Sequence, residues 1–266
     1  MSGLHRVVAF TVAVAALGAA PAAEAASKTV YAGPPSAARG APERADFNAF
    51  FREQVSIEVG DTVVWQFRGF HNVLFPGPSE EPPFVVPDAA NPVADVRDPA
   101  NAPFWFNGQP SLTVNPAVAL PRGGGTTTGR QVRNSGLPAD DAGPYRLRFT
   151  RAGTFRYLCS VHPTMAGSVR VRPRGASVPS ARADTRAAQA ELARATASAR
   201  RLDRYRPRGN RVSGGHDRGK VALLKFFPAR RTIAAGQSVE FSINSPPRPT
   251  TWPSGREATA RVWREG

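Results

Sequence analysis

The sequence is poor in the residues that build cysteine-based sites: its 266 residues include one Cys, two Met and four His. A single cysteine excludes an intramolecular disulfide, a zinc site of four cysteines and an iron–sulfur cluster held by cysteine alone. Because Met1 is the initiator, Met165 is the other methionine. After the first 25 residues, no apolar run is long enough for a transmembrane helix.

Turn-forming residues are abundant, with 26 Pro and 24 Gly. They make long helices rare and favour short strands joined by turns. Branched and aromatic residues alternate with polar ones in several short segments, which is the period-two pattern of half-buried strands. The sequence therefore predicts an all-β fold, a β-sandwich. The predicted strands cover residues 55–59, 63–67, 145–149, 155–157 and 168–172.

Composition divides the chain into four parts. Residues 1–25 resemble a signal peptide, and residues 26–173 form the predicted sandwich, with a Pro- and Gly-rich insertion at 76–144. Residues 174–220 are predicted to be a basic linker, with a solvated helix over 181–205 and a flexible connector after it. Residues 221–266 are predicted to be a partial second β unit.

The N-terminal segment predicts export. Arg6 precedes the apolar run of residues 7–20, and Ala23 and Ala25 supply small residues at the expected cleavage positions. We therefore expect the mature protein in the periplasm, at the cell surface or outside the cell, with no transmembrane segment. The alternative is an uncleaved membrane anchor.

The net charge of +15 is concentrated in one stretch, because residues 170–220 contain 14 basic and 4 acidic groups. This net +10 is compatible with binding an anionic polymer of the cell envelope. We expect no nucleic-acid binding, because the protein is predicted to be exported and this stretch has Tyr205 as its one aromatic residue.

A repeat links the two predicted β units. The segment from Ile57 to Phe67 matches the segment from Ile233 to Ile243 in its apolar positions and in its turn glycine. We interpret the match as a duplication, although β-strands joined by a turn share this pattern. A His-Asn-Val segment should follow the second copy, and one frameshift near Pro247 would restore it. The hypothesis is a truncated second domain.

Most of the side chains that could bind a metal lie in the segment from Tyr157 to Met165, which contains Cys159 and His162. His71 follows a predicted strand upstream. The remaining histidines are His5, in the predicted signal peptide, and His216, in the predicted connector.

Two imidazoles, one thiolate and one thioether are the ligand set of a mononuclear blue copper site. Zinc would call for a harder fourth ligand than methionine, and a binuclear copper site would need a second cysteine. A catalytic Cys159–His162 pair is the enzyme alternative, but the chain has no G-x-S-x-G motif. The remaining alternative is a buried cysteine and histidine without a metal.

These residues resemble the cupredoxins, the plastocyanin- and amicyanin-type copper proteins. The resemblance covers residues 27–173 apart from the insertion. It is carried by three segments, residues 59–65 (VGDTVVW), 70–73 (FHNV) and 153–169 (GTFRYLCSVHPTMAGSV). It implies a Greek-key β-sandwich and one type 1 copper ion as the cofactor.

The resemblance also implies a role for each site residue. His71, Cys159 and His162 would be the strong ligands, and Met165 the weak axial ligand. Asn72 would tie the two ligand loops together by hydrogen bonds. The outer edge of His162 would be the port for electrons, in an apolar patch formed by Val161 and Pro163.

We therefore expect an exported carrier of single electrons that serves an unidentified redox partner protein and converts no substrate, so it is not an enzyme. The first alternative is a copper-binding protein for storage or delivery. The second is an envelope interaction protein in which copper is incidental. A redox titration that includes exchange to a small electron donor would separate the carrier from the storage protein.

Overall fold

The computed structural model describes residues 25–243 except residues 99, 104–106, 121–122, 139–142 and 163. Residues 1–24 of the predicted signal peptide and the proposed frameshift position near Pro247 therefore lie outside the described residues. Within the described ranges, neither helix is both long and apolar enough to cross a membrane.

The helices are α1 (Pro116–Ala119) and α2 (Ala181–Leu202). The strands are β1 (Ser27–Ala32), β2 (Ala45–Phe47), β3 (Phe50–Phe51), β4 (Gln54–Glu58), β5 (Thr62–Phe67), β6 (Leu74–Phe75), β7 (Val85–Pro92), β8 (Pro110–Val114), β9 (Gly125–Thr127), β10 (Arg133–Asn134), β11 (Tyr145–Phe149), β12 (Gly153–Leu158), β13 (Ala166–Arg172), β14 (Arg211–Arg218), β15 (Val221–Phe227) and β16 (Glu240–Ile243).

Two five-stranded sheets form the main body of the protein. Their strand orders are β3-β1-β5-β11-β9 and β10-β6-β12-β13-β4. Side chains on β11 alternate as a half-buried strand requires: Leu147 and Phe149 are buried, while Arg146 and Arg148 are exposed. The two sheets enclose one apolar core. The predicted fold class, an all-β Greek-key sandwich, is confirmed.

Aromatic side chains from both sheets meet at the centre of this core. Trp65 on β5 is fully buried and lies edge-on to Phe75, with 5.6 Å between ring centroids, and to Tyr157, with 5.3 Å. Phe50 on β3 contacts the same Tyr157 ring at 4.7 Å. Such edge-to-face pairs add to the free energy gained from burial, and they join the two sheets to each other.

The turn after β4 carries the chain from one sheet to the other. Gly60 adopts a φ of +102°, which residues with a side chain rarely adopt. The Asp61 carboxylate accepts hydrogen bonds from the backbone amides of Glu58 at 2.9 Å and Ala26 at 2.8 Å. The two strands predicted on either side of this turn therefore face each other across the core instead of pairing.

The segment 76–144, which the sequence predicts as an insertion, is only partly a loop. β7 and β8 pair with each other in a hairpin whose residues are mostly exposed. Farther along, β9 pairs with β11 and β10 pairs with β6, so the end of the segment extends both sheets. Short strands of two or three residues carry no periodic pattern that a sequence could show.

Helix α2 is packed against the sheets, which corrects the prediction of a solvated helix. It begins after Ser180, whose side chain caps the Ala183 amide, and it ends at Leu202 instead of residue 205. Its face of small and apolar residues is buried with residues of β2, β3 and β15. Ala side chains let a helix approach a sheet closely, so the scarcity of larger apolar residues did not indicate solvation. The buried residues of the helix in this cluster are Ala188, Leu192, Ala199 and Leu202.

A third sheet, with the order β16-β14-β15-β2, joins the C-terminal part of the chain to the sandwich. β14 lies inside residues 206–220, which the sequence predicted to be a flexible connector. It pairs along its length with β15, so the predicted boundary at residue 220 falls between two paired strands. Gly214, Gly215 and the charged residues of β14 hid this strand from a pattern-based prediction.

A buried ion cluster fixes α2 to the sandwich. Asp184 accepts hydrogen bonds from the Lys28 ammonium at 2.9 Å and from the Arg52 guanidinium at 2.7 Å. The side chains of Lys28 and Asp184 are each only 6% exposed. We expect Asp184→Ala to lower the free energy of unfolding by about 3–5 kcal/mol, because it leaves a buried cation without its partner.

Urea unfolding of the purified protein measures this loss. The matched control is Glu240→Ala, which removes the half-exposed ion pair with Arg211 and should cost about 0–1 kcal/mol. Equal effects of the two substitutions would contradict the assigned role of the buried cluster.

Candidate metal centre

Strand pairing brings two separate segments to the same end of the sandwich. His71 lies between β5 and β6, and Cys159 and His162 lie in the loop between β12 and β13. β6 and β12 pair through Leu74 and Leu158, the residues next to these segments. A pairing between short strands therefore places His71 beside a loop more than 80 residues away in sequence.

Three potential donor atoms converge there. The Nδ1 atoms of His71 and His162 are 3.1 Å apart, and the Cys159 Sγ lies 3.6 Å from the His162 Nδ1. The ligand atoms of all three residues lie within 4.8 Å of one another. Metal–nitrogen and metal–thiolate bonds are about 2.0–2.3 Å long, so donors at these separations can share one ion.

Met165 closes the loop that contains Cys159 and His162. Its amide donates to the His162 carbonyl at 2.8 Å, and its carbonyl accepts from the Cys159 amide at 2.9 Å. The Met165 side chain is fully buried in the core of the sandwich. These backbone bonds hold a soft thioether in the same short loop as the thiol and the second imidazole.

Close packing orients the His71 ring. Gly69 has a φ of +123°, and a Cβ atom at that position would lie 3.2 Å from the His71 Nε2. His71 is 2% exposed. The ring therefore presents its Nε2 side to Gly69 and its Nδ1 to His162.

Asn72 connects the two segments directly. Its side-chain oxygen accepts a hydrogen bond from the Ser160 amide at 2.7 Å, and its side-chain nitrogen donates to the Ser160 hydroxyl at 3.3 Å. Asn72 is fully buried. These two bonds therefore link the segment that contains His71 to the loop that contains Cys159 and His162.

Two further residues bond to Asn72 and to its neighbour Val73, and the sequence analysis missed both. The Asn134 side chain accepts a hydrogen bond from Asn72 at 3.4 Å and donates to the carbonyls of Ala117 and Val118. Ser135 accepts a hydrogen bond from the Val73 amide at 2.9 Å. The sequence around these residues is an Asn-Ser-Gly run, which predicts an ordinary turn and does not indicate a bond to a distant loop.

Burial sets the protonation of the two histidines. It lowers the pKa of His71 to about 4, with a smaller contribution from the charge of His162. Burial also lowers the pKa of His162, and the charge of Asp46 acts in the opposite direction. Both rings are therefore neutral at physiological pH, which is the form that binds metals.

The pKa of the Cys159 thiol is raised, whereas the pKa values of the two histidines are lowered. Burial raises the pKa of the Cys159 thiol, and backbone hydrogen bonds from Asn72 and His162 oppose this effect. The free thiol therefore keeps its proton at neutral pH. A metal that binds here must displace that proton, so its affinity should increase with pH.

The surface around the site is partly apolar. Val161 packs half-buried against the core, and His162 is half-buried, whereas Phe70 beside His71 is 54% exposed. Pro163, predicted to belong to the same patch, lies outside the described residues. His216 is not a member of the donor group, and its ring stacks on Tyr205 with 4.0 Å between ring centroids.

Comparisons with known proteins found a partial structural likeness to small copper proteins. A mutant of amicyanin with Cu(I) matches with 20% identity and a TM-score of 0.27, over 55% of this chain and 82% of that chain. The oxidized state of another amicyanin mutant matches with 20% identity and a TM-score of 0.28 over the same shares. A mutant plastocyanin of fern matches with 15% identity and a TM-score of 0.27, over 54% of this chain and 99% of that chain.

No family model matches the chain, and no curated protein matches it.

The histidine pKa values predict how the metal-free protein responds to pH. The unfolded chain binds a proton at His71 below its ordinary pKa of 6.5, whereas the folded chain does so only near 4. Stability should therefore fall as the pH decreases from about 6.5 to about 4, by up to about 3 kcal/mol. Urea unfolding across this range measures the slope, and an NMR titration of the ring gives the pKa itself. The slope should flatten in His71→Gln, and a ring that titrates near 6.5 would contradict this account.

The Asn72 bonds predict a structural cost of breaking them. Asn72→Ala leaves the buried Ser160 amide without an acceptor, so the free energy of unfolding of the metal-free protein should fall by about 1–3 kcal/mol. Thermal unfolding followed by circular dichroism measures the change. Asn91→Ala removes an exposed asparagine whose side chain donates to Asp88 at 2.8 Å in the hairpin of β7 and β8, and it should have little effect. A similar loss in both variants would show that Asn72 does not join the two loops.

Proposed function

We propose that this protein holds one copper ion in a type 1 site and carries single electrons by cycling it between Cu(I) and Cu(II). The observation that supports the proposal most is the donor cluster of His71, Cys159 and His162, which the fold assembles at one end of a β-sandwich. Met165 would supply the weak axial ligand from the same loop.

The donor set fits copper better than other common metals. Thiolate and thioether favour Cu(I), and imidazole accommodates Cu(II), so this mixture suits an ion that changes its oxidation state. Structural zinc sites take four Cys or His ligands. Within the described part of the chain, no fourth His, Cys, Asp or Glu joins the group.

The protein's own contribution is to hold the donors still. When bound, the copper ion supplies the one-electron couple. Asn72 fixes the distance between the two ligand segments, and the Met165 backbone bonds fix the shape of the second loop. Because both segments are anchored, little rearrangement would accompany a change of oxidation state, which favours rapid electron transfer.

Electrons would pass through His162, the more exposed of the two histidines. The apolar surface near it would receive a redox partner protein, and Val161 and Pro163 are the residues proposed to flank the contact. Phe70 would widen this surface. Such a contact transfers an electron without converting a substrate, so we propose a carrier and not an enzyme.

Export and envelope binding complete the proposal. The N-terminal segment would direct the chain out of the cytoplasm, to the periplasm, the cell surface or the medium. The basic residues of 170–220 would associate with an anionic envelope polymer in a salt-sensitive way. Five of these arginines are exposed on α2: Arg182, Arg186, Arg194, Arg200 and Arg201.

The visible spectrum tests the copper site. The purified protein with copper bound should be intensely blue or green, from charge transfer between the Cys159 thiolate and Cu(II). Cys159→Ser should abolish the colour, whereas Met165→Leu should keep it and raise the reduction potential. A colourless Cu(II) complex of equal stoichiometry would contradict the proposal. A coloured protein whose copper exchanges readily and shows no reversible couple would support storage or delivery instead.

A further inference from the structure

The C-terminal β unit repeats the start of the sandwich more fully than the sequence motif alone indicates. Residues 45–67 align without a gap on residues 221–243. The pair Phe50–Phe51 falls on Phe226–Phe227, and Trp65 falls on Phe241. We call residues 27–67 the first half-unit and residues 209–243 the second half-unit.

The strand pairing of the two half-units is the same. β1 lies parallel to β5 with Val30 opposite Trp65, and β14 lies parallel to β16 with Val212 opposite Phe241. β3 pairs antiparallel with β1, so that Phe50 is opposite Ala32. β15 pairs antiparallel with β14, so that Phe226 is opposite Gly214.

The turn at the repeated glycine is also the same. Gly60 and Gly236 both have a positive φ, at +102° and +84°. The Asp61 side chain accepts from the Glu58 amide at 2.9 Å, and the Gln237 side chain accepts from the Ala234 amide at 3.0 Å. A shared side-chain bond at a shared turn is unexpected for unrelated strands.

The two half-units meet about a local two-fold axis. β2 and β15 pair antiparallel with Asp46 opposite Ala222, and these two residues occupy equivalent positions. On either side, the Asn48 amide donates to the Lys220 carbonyl at 2.9 Å, and the Leu224 amide donates to the Arg44 carbonyl at 3.0 Å. The equivalent residues Phe51 and Phe227 both belong to the apolar cluster around α2.

The remaining face of the second half-unit is much more exposed than its counterpart. Phe226 is 59% exposed and Phe241 is 47% exposed, whereas the equivalent Phe50 and Trp65 are 2% and 0% exposed. In the first half-unit, Tyr157 and its neighbours from the facing sheet cover these rings. Large groups of exposed apolar side chains are typical of interaction surfaces. The exposed apolar residues of the second half-unit on β15 and β16 are Leu224, Phe226, Phe241 and Ile243.

We propose that this face of the second half-unit binds a polypeptide segment of the same kind as residues 68–173 and thereby becomes a second sandwich. One segment of this kind could cover both the exposed apolar face of the second half-unit and its edge strand β16. β16 pairs only with β14 among the described strands, whereas its counterpart β5 also pairs with β11. Residues 68–173 contain both β11, which extends the edge, and β12 with β13, which face the core.

The occupant would also bring a second metal centre, a consequence that rests on the proposed function. All four proposed ligands lie within residues 68–173, and none lies in the first half-unit. The second half-unit therefore needs no histidine of its own to support a site. It supplies the sheet against which the ligand segments pack.

A chain with a duplicated segment tests the proposal. Residues 68–173 are joined a second time directly after Ile243, the residue equivalent to Phe67, in place of the residues that follow. Hydrogen exchange followed by mass spectrometry compares residues 211–218 and 240–243 in this chain and in the parent. Exchange should slow by about tenfold or more, because strand edges and faces become covered. Copper bound per chain should double.

The control carries the same extension with Tyr157→Asp in the added segment alone, which should restore the parent's exchange rates. Unchanged exchange in the extended chain would overturn the proposal. Slower exchange without coloured copper binding would uphold the docking surface and reject the copper function. A parent chain that forms a dimer, and loses it in Phe226→Glu, would assign the face to a second copy and would also overturn the proposal.

Discussion

The bond between the Asn72 side chain and the Ser160 amide is the contact on which the site depends. One of its partners follows His71, and the other follows Cys159. The pairing of β6 with β12 brings these segments to one end of the sandwich, and the asparagine fixes how they face each other. If the site holds copper as we propose, donors fixed in this way would move little when the ion gains or loses an electron. Other parts of the protein hold these two segments and the sheets around them in place.

The support extends into the segment that the sequence presented as an insertion. Asn134 and Ser135 bond to Asn72 and Val73, and β9 and β10 add a strand to each sheet. The insertion therefore consists of an exposed hairpin, β7 and β8, followed by two strands, β9 and β10, that belong to the sheets of the sandwich. Helix α2 is fixed to the sheet that contains β1 and β3, because Asp184 forms ion pairs with Lys28 on β1 and with Arg52 next to β3.

Much of the site could be predicted because its residues are rare and clustered. Cys159, His162 and Met165 fall within one loop, and His71 follows a clear alternating strand. The role of Asn134 could not be predicted, since nothing local distinguishes an asparagine in a turn from one that bonds to a distant loop. Helix α2 was predicted as a helix but not as a buried one, because an alanine face has low hydrophobicity and still packs closely. β14 was missed because glycine and charged residues mask its alternation, and its partner strand stabilises it.

Electron paramagnetic resonance of the Cu(II)-loaded full chain tests the copper assignment most directly. If the Cys159 thiolate bound Cu(II), part of the unpaired electron would lie on sulfur, so we expect an unusually small parallel copper hyperfine splitting. The large splitting of ordinary tetragonal Cu(II) with nitrogen and oxygen ligands would contradict it.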